Sequence, residues 1–257
     1  MKKVERAFGK TTALLFGKEL SPLIAFESWL EHHIAKIIKV KSAVSDESVY
    51  MPTVQFYKHS QKNFVTLEES LKLGELRAQL PELETMRLSN AAQTLERIRC
   101  FSPDARVGDN TEVEESATYG YSHFIFRCSF PHTTKYAAYC FWPRESEYVF
   151  GCSMVFSSSF CINCYHSENL TRCFEVSDSQ SCTDSYFCHN CENVRDSMFC
   201  FNTKGKRYAI GNVEFGREKY IQVKRLVLSD LLKALEENCE IKLSIYNVAC
   251  YKRNAIG

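Results

Sequence analysis

Apolar positions in the first hundred residues recur mostly at helical spacing. In "SPLIAFESWLEHHIAKIIKVKS" Leu23, Phe26, Leu30, Ile34, Ile37 and Ile38 share one helical face, Ser21 is placed to cap and Pro22 suits a first turn, so the pattern predicts a helix. "VTLEESLKLGELRAQL" opens with Thr66 and, three residues on, Glu69, the spacing of a capping box, and Pro81 separates it from a further helical pattern in "ELETMRLSNAAQTLERIRCF". Between these, "SVYMPTVQFYKH" has strand character. Near the C-terminus "EKYIQVKRLVLSDLLKALEEN" predicts a helix. In "CEIKLSIYNVACYK", Cys239, Ile241, Leu243 and Ile245 alternate as on one face of a strand.

The middle of the chain follows a different rhythm. Residues 158 to 176 shifted by 27 coincide at seven positions: Ser158/Ser185, Phe160/Phe187, Cys161/Cys188, Asn163/Asn190, Cys164/Cys191, Cys173/Cys200 and Phe174/Phe201. Within that period Cys164, Cys173, Cys182, Cys191 and Cys200 are nine apart, whereas upstream Cys128, Cys140, Cys152 and Cys164 are twelve apart. Self-similarity at fixed period marks a solenoid, whose repeats bury their apolar faces against one another. One short strand and one turn per beat predict a parallel β-helix of about three coils of 27 residues, or a flatter roll with 18 per coil. Equivalent positions would stack roughly 4.8 Å apart. Cysteine, small and often buried, suits such an inner ladder, and Asn163, Asn190, Ser158 and Ser185 suit its corners.

The predicted fold class is therefore α+β. A mostly helical region spans 1–101 and a linker spans 102–120, where "SPDARVGDNTEVEESATYG" is polar and without periodicity. The cysteine-rich β-solenoid spans 121–211, and a helix with a strand spans 212–257. The flanking helical segments are the natural caps for its open ends.

At "SYFCHNCENVRDSMFCFNTKGKRYAIGNVEFGREKY" the chain resembles a family of cysteine-rich repeat proteins whose C-x-x-C beats end in an N-x-x-x-K-x-Y-x-I-x-N segment. The matching residues are Asn202, Lys206, Tyr208, Ile210 and Asn212, and the resemblance covers roughly a quarter of the chain. Members of that family also carry zinc-ribbon-like cysteine pairs near the N-terminus, which this sequence lacks.

Composition narrows the function. Lys and Arg nearly balance Asp and Glu, giving a net charge of +1, so bulk charge does not select nucleic acid or an anionic membrane. "TTALLF" (11–16) is shorter than a signal-peptide core, and no apolar run is long enough to span a bilayer. With thirteen cysteines, an odd number, the expectation is reduced thiols in the cytoplasm and not a disulfide framework.

The strongest chemical signal is the two C-x-x-C pairs, Cys161/Cys164 and Cys188/Cys191. Four thiolates from such pairs can hold a tetrahedral zinc at about 2.3 Å; the competing reading is one step of the repeat seen twice. Redox use needs a helix N-terminus to stabilise a thiolate, and the surroundings here are strand-like. "FGKTT" lacks the first glycine of a phosphate loop, since Val4 stands in that position. Glu31, His32 and His33 are adjacent and diverge on a helix; Asp178 and Asp184 read as turn residues, and Lys204 to Tyr208 as a solvated turn closing the last coil. No acid/base pair of a carbohydrate-active β-helix is identifiable. The leading expectation is a non-enzymatic structural or interaction protein, self-associating or partnered in a larger assembly such as a shell or coat, without cofactor. A zinc-binding adaptor using Cys161, Cys164, Cys188 and Cys191 is the alternative.

Overall fold

The computed structural model describes residues 1–58 and 61–248. Its body is a solenoid of stacked parallel strands with helices at both ends of the chain, so the α+β class holds, but the coil is much shorter than the sequence period implies. Thr111 pairs with His123, His123 with Lys135, Lys135 with Glu147 and Glu147 with Ser159, a constant step of twelve residues, and the stack runs to about nine coils instead of three.

A three-residue step builds each coil. From Glu112 to Gly211 every third residue has a positive φ of about 46–63°, and nearly all of these are not glycine. Such a residue turns the chain through a corner, the next side chain points into the solenoid, the one after points out, and the third residue turns again. Four such sides close a twelve-residue coil: in residues 158–169 the inner side chains are Ser158, Cys161, Cys164 and Ser167, and the corners are Phe160, Asn163, His166 and Asn169. A left-handed corner costs a non-glycine residue on the order of 1 kcal/mol or more. Ladder bonds between coils, such as Ser159 N–H to the Leu170 carbonyl at 2.9 Å, help offset that cost at every step.

Corner and outer residues stack in columns as the inner ones do. Phe124, Tyr136, Tyr148 and Phe160 lie ring upon ring at 4.9, 4.8 and 4.6 Å. Beyond Glu114 at its start, one outer column is apolar: Phe126, Ala138, Phe150, Ile162, Phe174, Tyr186 and Met198 are all buried. Two helices cover it. Helix α1 (Lys2–Phe16) presents Val4, Ala7, Phe8, Leu15 and Phe16 at three- and four-residue spacing, and stops at Gly17, whose φ of 88° few other residues adopt. Phe8 meets Phe150 edge-on at 5.3 Å, Phe16 meets Phe174 at 5.0 Å, and the Tyr186 hydroxyl donates to the Leu15 carbonyl.

The predicted helix at 21–42 is not one element. A single 3-10 turn (Leu23–Phe26) and one turn of helix α2 (Glu27–Leu30) give way to strand β1 (Ile37–Lys41), which pairs antiparallel with β2 (Ser48–Pro52). The β-branched run Ile37, Ile38 and Val40 favours this, and Val49, Met51 and Phe64 form a small core beneath it. Helix α3 (Leu67–Leu73) has the predicted capping box, with Thr66 and Glu69 bonded reciprocally at 3.1 and 2.8 Å. Helices α4 (Leu80–Glu84) and α5 (Ala91–Thr94) are single turns.

Residues 102–120 are not a linker. Arg106–Val107 pairs with Tyr119–Gly120, and Thr111–Glu114 with His123–Phe126, so the first coils lie inside this polar stretch. Arg106 bridges Glu68 at 2.7 Å, tying the N-terminal region to this end of the stack. At the other end Val213–Glu214 folds back antiparallel on Ala209–Ile210, and the Asn212 amide bonds both backbone groups of Phe201, which blunts the open edge. Helix α6 (Arg217–Asn238) follows as predicted and buries Tyr220, Leu231 and Leu235. The predicted strand after it is absent between Cys239 and Val248. Ile241, Leu243 and Ile245 instead pack as irregular chain, and the remainder of that segment lies outside the described residues. Among the described residues no helix is long and apolar enough to cross a membrane.

Candidate functional site

The cysteines are inner side chains. One column reads Ser116, Cys128, Cys140, Cys152, Cys164, Val176, Cys188 and Cys200 in steps of twelve, and Cys161 and Cys173, Cys182, and Cys191 occupy the other three columns. Their role follows from the corners. Each inner thiol or hydroxyl donates to the carbonyl two residues earlier: Cys128 to Phe126 at 3.4 Å, Cys152 to Phe150 at 3.4 Å, Ser158 to Phe156 at 2.7 Å, Ser197 to Arg195 at 2.7 Å. Many also accept the N–H one coil on, as Cys140 Sγ does from Cys152 and Ser158 Oγ from Leu170. A left-handed corner every third residue turns peptide groups toward the interior, and a short side chain carrying one donor and one acceptor satisfies them. Serine and cysteine replace one another at inner positions because both do this. Ser158 and Ser185 are therefore inner residues and not corner residues, whereas Asn163 and Asn190 occupy corners as predicted, with φ of 51° and 50°.

The two C-x-x-C pairs do not converge. Cys161 and Cys164 are neighbouring inner side chains of one coil. Cys188 and Cys191 belong to coils further on, with Val176 standing between Cys164 and Cys188 in their shared column. The four sulfurs therefore do not form the tetrahedral set that their spacing suggests. Among the described residues no group of three or more His, Cys, Asp or Glu side chains is disposed to hold a metal ion. Burial pushes the Cys140, Cys164 and Cys173 thiols well up, and Cys182 to about 11. Burial raises Cys152 as well, but its contacts with the Cys140 and Cys164 thiols outweigh that and hold it well below the ordinary thiol value. Ten cysteines are free and buried, and Cys100 and Cys239 are free and half-exposed. In the native protein a thiol reagent is expected to modify Cys100 and Cys239 within minutes and to leave the ten inner thiols unmodified, whereas all thirteen react in guanidinium. Peptide mapping after alkylation checks this, and rapid labelling of Cys152 or Cys164 would contradict it.

A second cluster was not legible in the sequence. The corner column beside the helix-covered face runs Glu115, Arg127, Tyr139, Gly151, Asn163, Glu175 and Phe187. Arg127 Nε bonds Glu115 at 2.6 Å and its guanidinium also pairs with Glu27 of α2. Deeper in, Glu175 is 1% exposed. Its Oε2 accepts the Ile245 N–H at 2.8 Å and its Oε1 accepts the Asn163 amide at 3.2 Å. Burial pushes its carboxyl up to about 8, against the pull of those two bonds. Trp29, His32, His33, Ser244 and Asn247 line a small cavity of about 180 Å3 beside Glu175, where burial pushes the His33 imidazole down. A neutral carboxylic acid at physiological pH is the chemical content of this cluster. It ties the irregular C-terminal segment to the solenoid. The signal for it is a single glutamate flanked by Phe174 and Val176, in register twelve residues from Asn163.

The remaining predicted residues stand apart from both clusters. Glu31 is buried, its carboxyl raised by burial, with Lys36 at 3.6 Å. Asp178 and Asp184 are corner residues: Asp178 lies between His166 and His189 at 3.6 and 3.4 Å, and Asp184 pairs with Arg172 at 2.7 Å. Ser177 Oγ also meets His189, but at Nδ1, the same nitrogen that faces Asp178, so the three lack the relay geometry of a serine hydrolase. Lys204 pairs with Glu192, and Arg207 lies over its neighbour Tyr208. No protein-family model matches the chain, and no curated protein shows significant similarity to it.

Proposed function

We propose that the chain is a non-enzymatic structural subunit that associates with further copies of itself in a larger assembly, a shell or coat being one such form, within the reducing cytoplasm. The observation that carries this reading is the segment 71–101. Leu71, Leu80 and Leu88 are 70%, 68% and 100% exposed, and Leu76, Leu83, Met86 and Phe101 are also open to solvent. A monomer rarely leaves so many large apolar side chains uncovered over so short a stretch. A second copy is the occupant that fits, because the same stretch interleaves Glu75, Glu82, Glu84 and Glu96 with Arg77, Arg87, Arg97 and Arg99, a surface complementary to itself. The solenoid supports the reading as a rigid support whose thiols are engaged in holding corners, and free buried thiols suit a reducing compartment.

Light scattering after size exclusion is expected to give a defined multiple of the chain mass at tens of micromolar. Leu80→Glu combined with Leu88→Glu is expected to return the monomer without lowering the melting temperature, since neither side chain packs internally. A wild-type monomer at that concentration would overturn the proposal.

A further inference from the structure

Beside the first coils lies an apolar trough of about 410 Å3, within the usual range for small-molecule sites. Its position follows from one residue. The outer positions Gly120, His132 and Arg144 stack on one face of the solenoid, and Gly120 contributes no side chain, so the face is open there. A Cβ at 120 would already lie 3.1 Å from the His132 ring. The walls are Phe130, Phe141 and Trp142 from the solenoid, Val107 from its first strand, and Phe56 from the segment after β2.

The polar lining is one-sided. Arg144 and His132 are the ionisable side chains that could carry positive charge, and no carboxylate lines the trough. Arg144 is exposed, and among the described residues its guanidinium makes no hydrogen bond or ion pair; it rests over the Trp142 ring at 5.2 Å. Elsewhere on the solenoid Arg127 and Arg172 are each engaged by carboxylates. An aromatic trough with one unpaired guanidinium at its edge is complementary to a molecule with an apolar body and a single anionic end.

We propose that this trough binds an amphiphilic carboxylate, its hydrocarbon chain between Phe56 and the Phe130, Phe141 and Trp142 rings and its carboxylate paired with Arg144. This reading is independent of self-association, because the trough and the exposed leucines of 71–88 are formed by different residues.

The chain supplies its own reporter. Of its two tryptophans, Trp29 is 5% exposed in the helix-covered core, and Trp142 lines the trough at 36% exposure. Decanoate, decanol and decyltrimethylammonium, titrated below their micellar concentrations into the full chain, should therefore be read through Trp142 emission, with Trp142→Phe as the blank. Decanoate is expected to give a saturable blue shift and to bind at least tenfold more tightly than decanol, with the cation weaker still. Arg144→Gln is expected to bring decanoate to the level of decanol, a loss of tenfold or more, with little change in melting temperature because the exposed guanidinium holds no hydrogen bond or ion pair among the described residues and touches the fold through the Trp142 ring. Val107→Phe, which fills the trough from an exposed position without adding a second tryptophan to it, is expected to abolish decanoate binding with Arg144 in place. Equal affinity for all three probes, no saturable response to decanoate, or full binding by Arg144→Gln would each overturn the proposal.

Discussion

Stability is expected to fall as pH rises through neutrality, and Glu175→Gln is expected to remove most of that fall. The folded-state carboxyl sits at about 8 because it is buried, and in the unfolded chain it returns to the ordinary range near about 4.3. Between those values the folded state holds a proton that the unfolded state has released, so each rise in pH favours unfolding. Integrated over the window, the effect is on the order of 5 kcal/mol. His33 acts in the opposite sense at lower pH: its imidazole is pushed down, so stability drops as pH falls below about 6.5. The Glu175 slope is therefore read most cleanly between about pH 7 and 8.5. Urea titrations across that interval should show the wild-type midpoint falling relative to that of the Glu175→Gln variant, with the variant the more stable at the alkaline end; Cys200, drawn down to about 7 by its bond with Cys188, raises stability with pH in both proteins and cancels in the difference. The glutamine carbonyl still accepts the Ile245 N–H, and its amide can donate to Asn163 once that side chain turns its otherwise unpartnered Oδ1 toward it, so the main change is the loss of the ionisable group. Parallel slopes for the two proteins would show that Glu175 is ionised, or solvated, in the folded state.

Gly151→Ala is expected to destabilise the protein by roughly 2–4 kcal/mol, and Gly205→Ala by under about 1 kcal/mol. The two glycines have the same φ of 63°, and both are corners. Conformation does not distinguish them, nor does it require glycine at either, since Tyr139 and Asn163, one coil to either side of Gly151, adopt φ of 53° and 51°. Space distinguishes them. A Cβ at 151 would lie 2.2 Å from Asn163 Oδ1 and 2.8 Å from the Leu30 carbonyl, whereas nothing approaches within 4 Å at 205. Gly151 is the gap into which the Leu30 carbonyl at the end of α2 and the Asn163 side chain both fit, and the alanine displaces both, Asn163 being the side chain that donates to Glu175. Chemical denaturation of both variants measures the difference. Equal effects would mean that corner strain, and not the seating of α2, decides the glycine.

Much of the architecture was readable from the chain, though in the wrong unit. The nine-residue rhythm Cys164, Cys173, Cys182, Cys191 and Cys200 and the 27-residue match are both real, and both are multiples of three. Inner, outer and corner positions recur every three residues, so any shift by a multiple of three lays inner side chains on inner side chains. Nine is one coil less one side, and 27 is two coils plus one side. Only the spacing of Cys128, Cys140, Cys152 and Cys164 follows a single column and reports the coil itself. The polar stretch 102–120 hid its coils because polar Asn110 and Ser116 stand on either side of Val113 at its inner positions and interrupt the apolar rhythm. Helix α1 lay unread because its apolar positions are interrupted by Lys10, Thr11 and Thr12; the two threonines are buried with their hydroxyls donating to the Ala7 and Gly9 carbonyls. The pairing of Glu175 with Ile245 joins positions 70 residues apart, and no local pattern encodes it. The thiols were legible as small inner side chains, but their use as hydrogen-bond donors to corner carbonyls depends on a backbone conformation that propensities assign almost to glycine alone.

The constancy of the twelve-residue turn also constrains how such a gene can change. Excising Ser159 through Leu170 removes one full storey and leaves every following residue facing as it did before, while the loss of a single codon rotates all that follows by a third of a side. Length is thus free to drift in whole storeys by tandem duplication or deletion, and frame-preserving changes of any other size meet immediate selection.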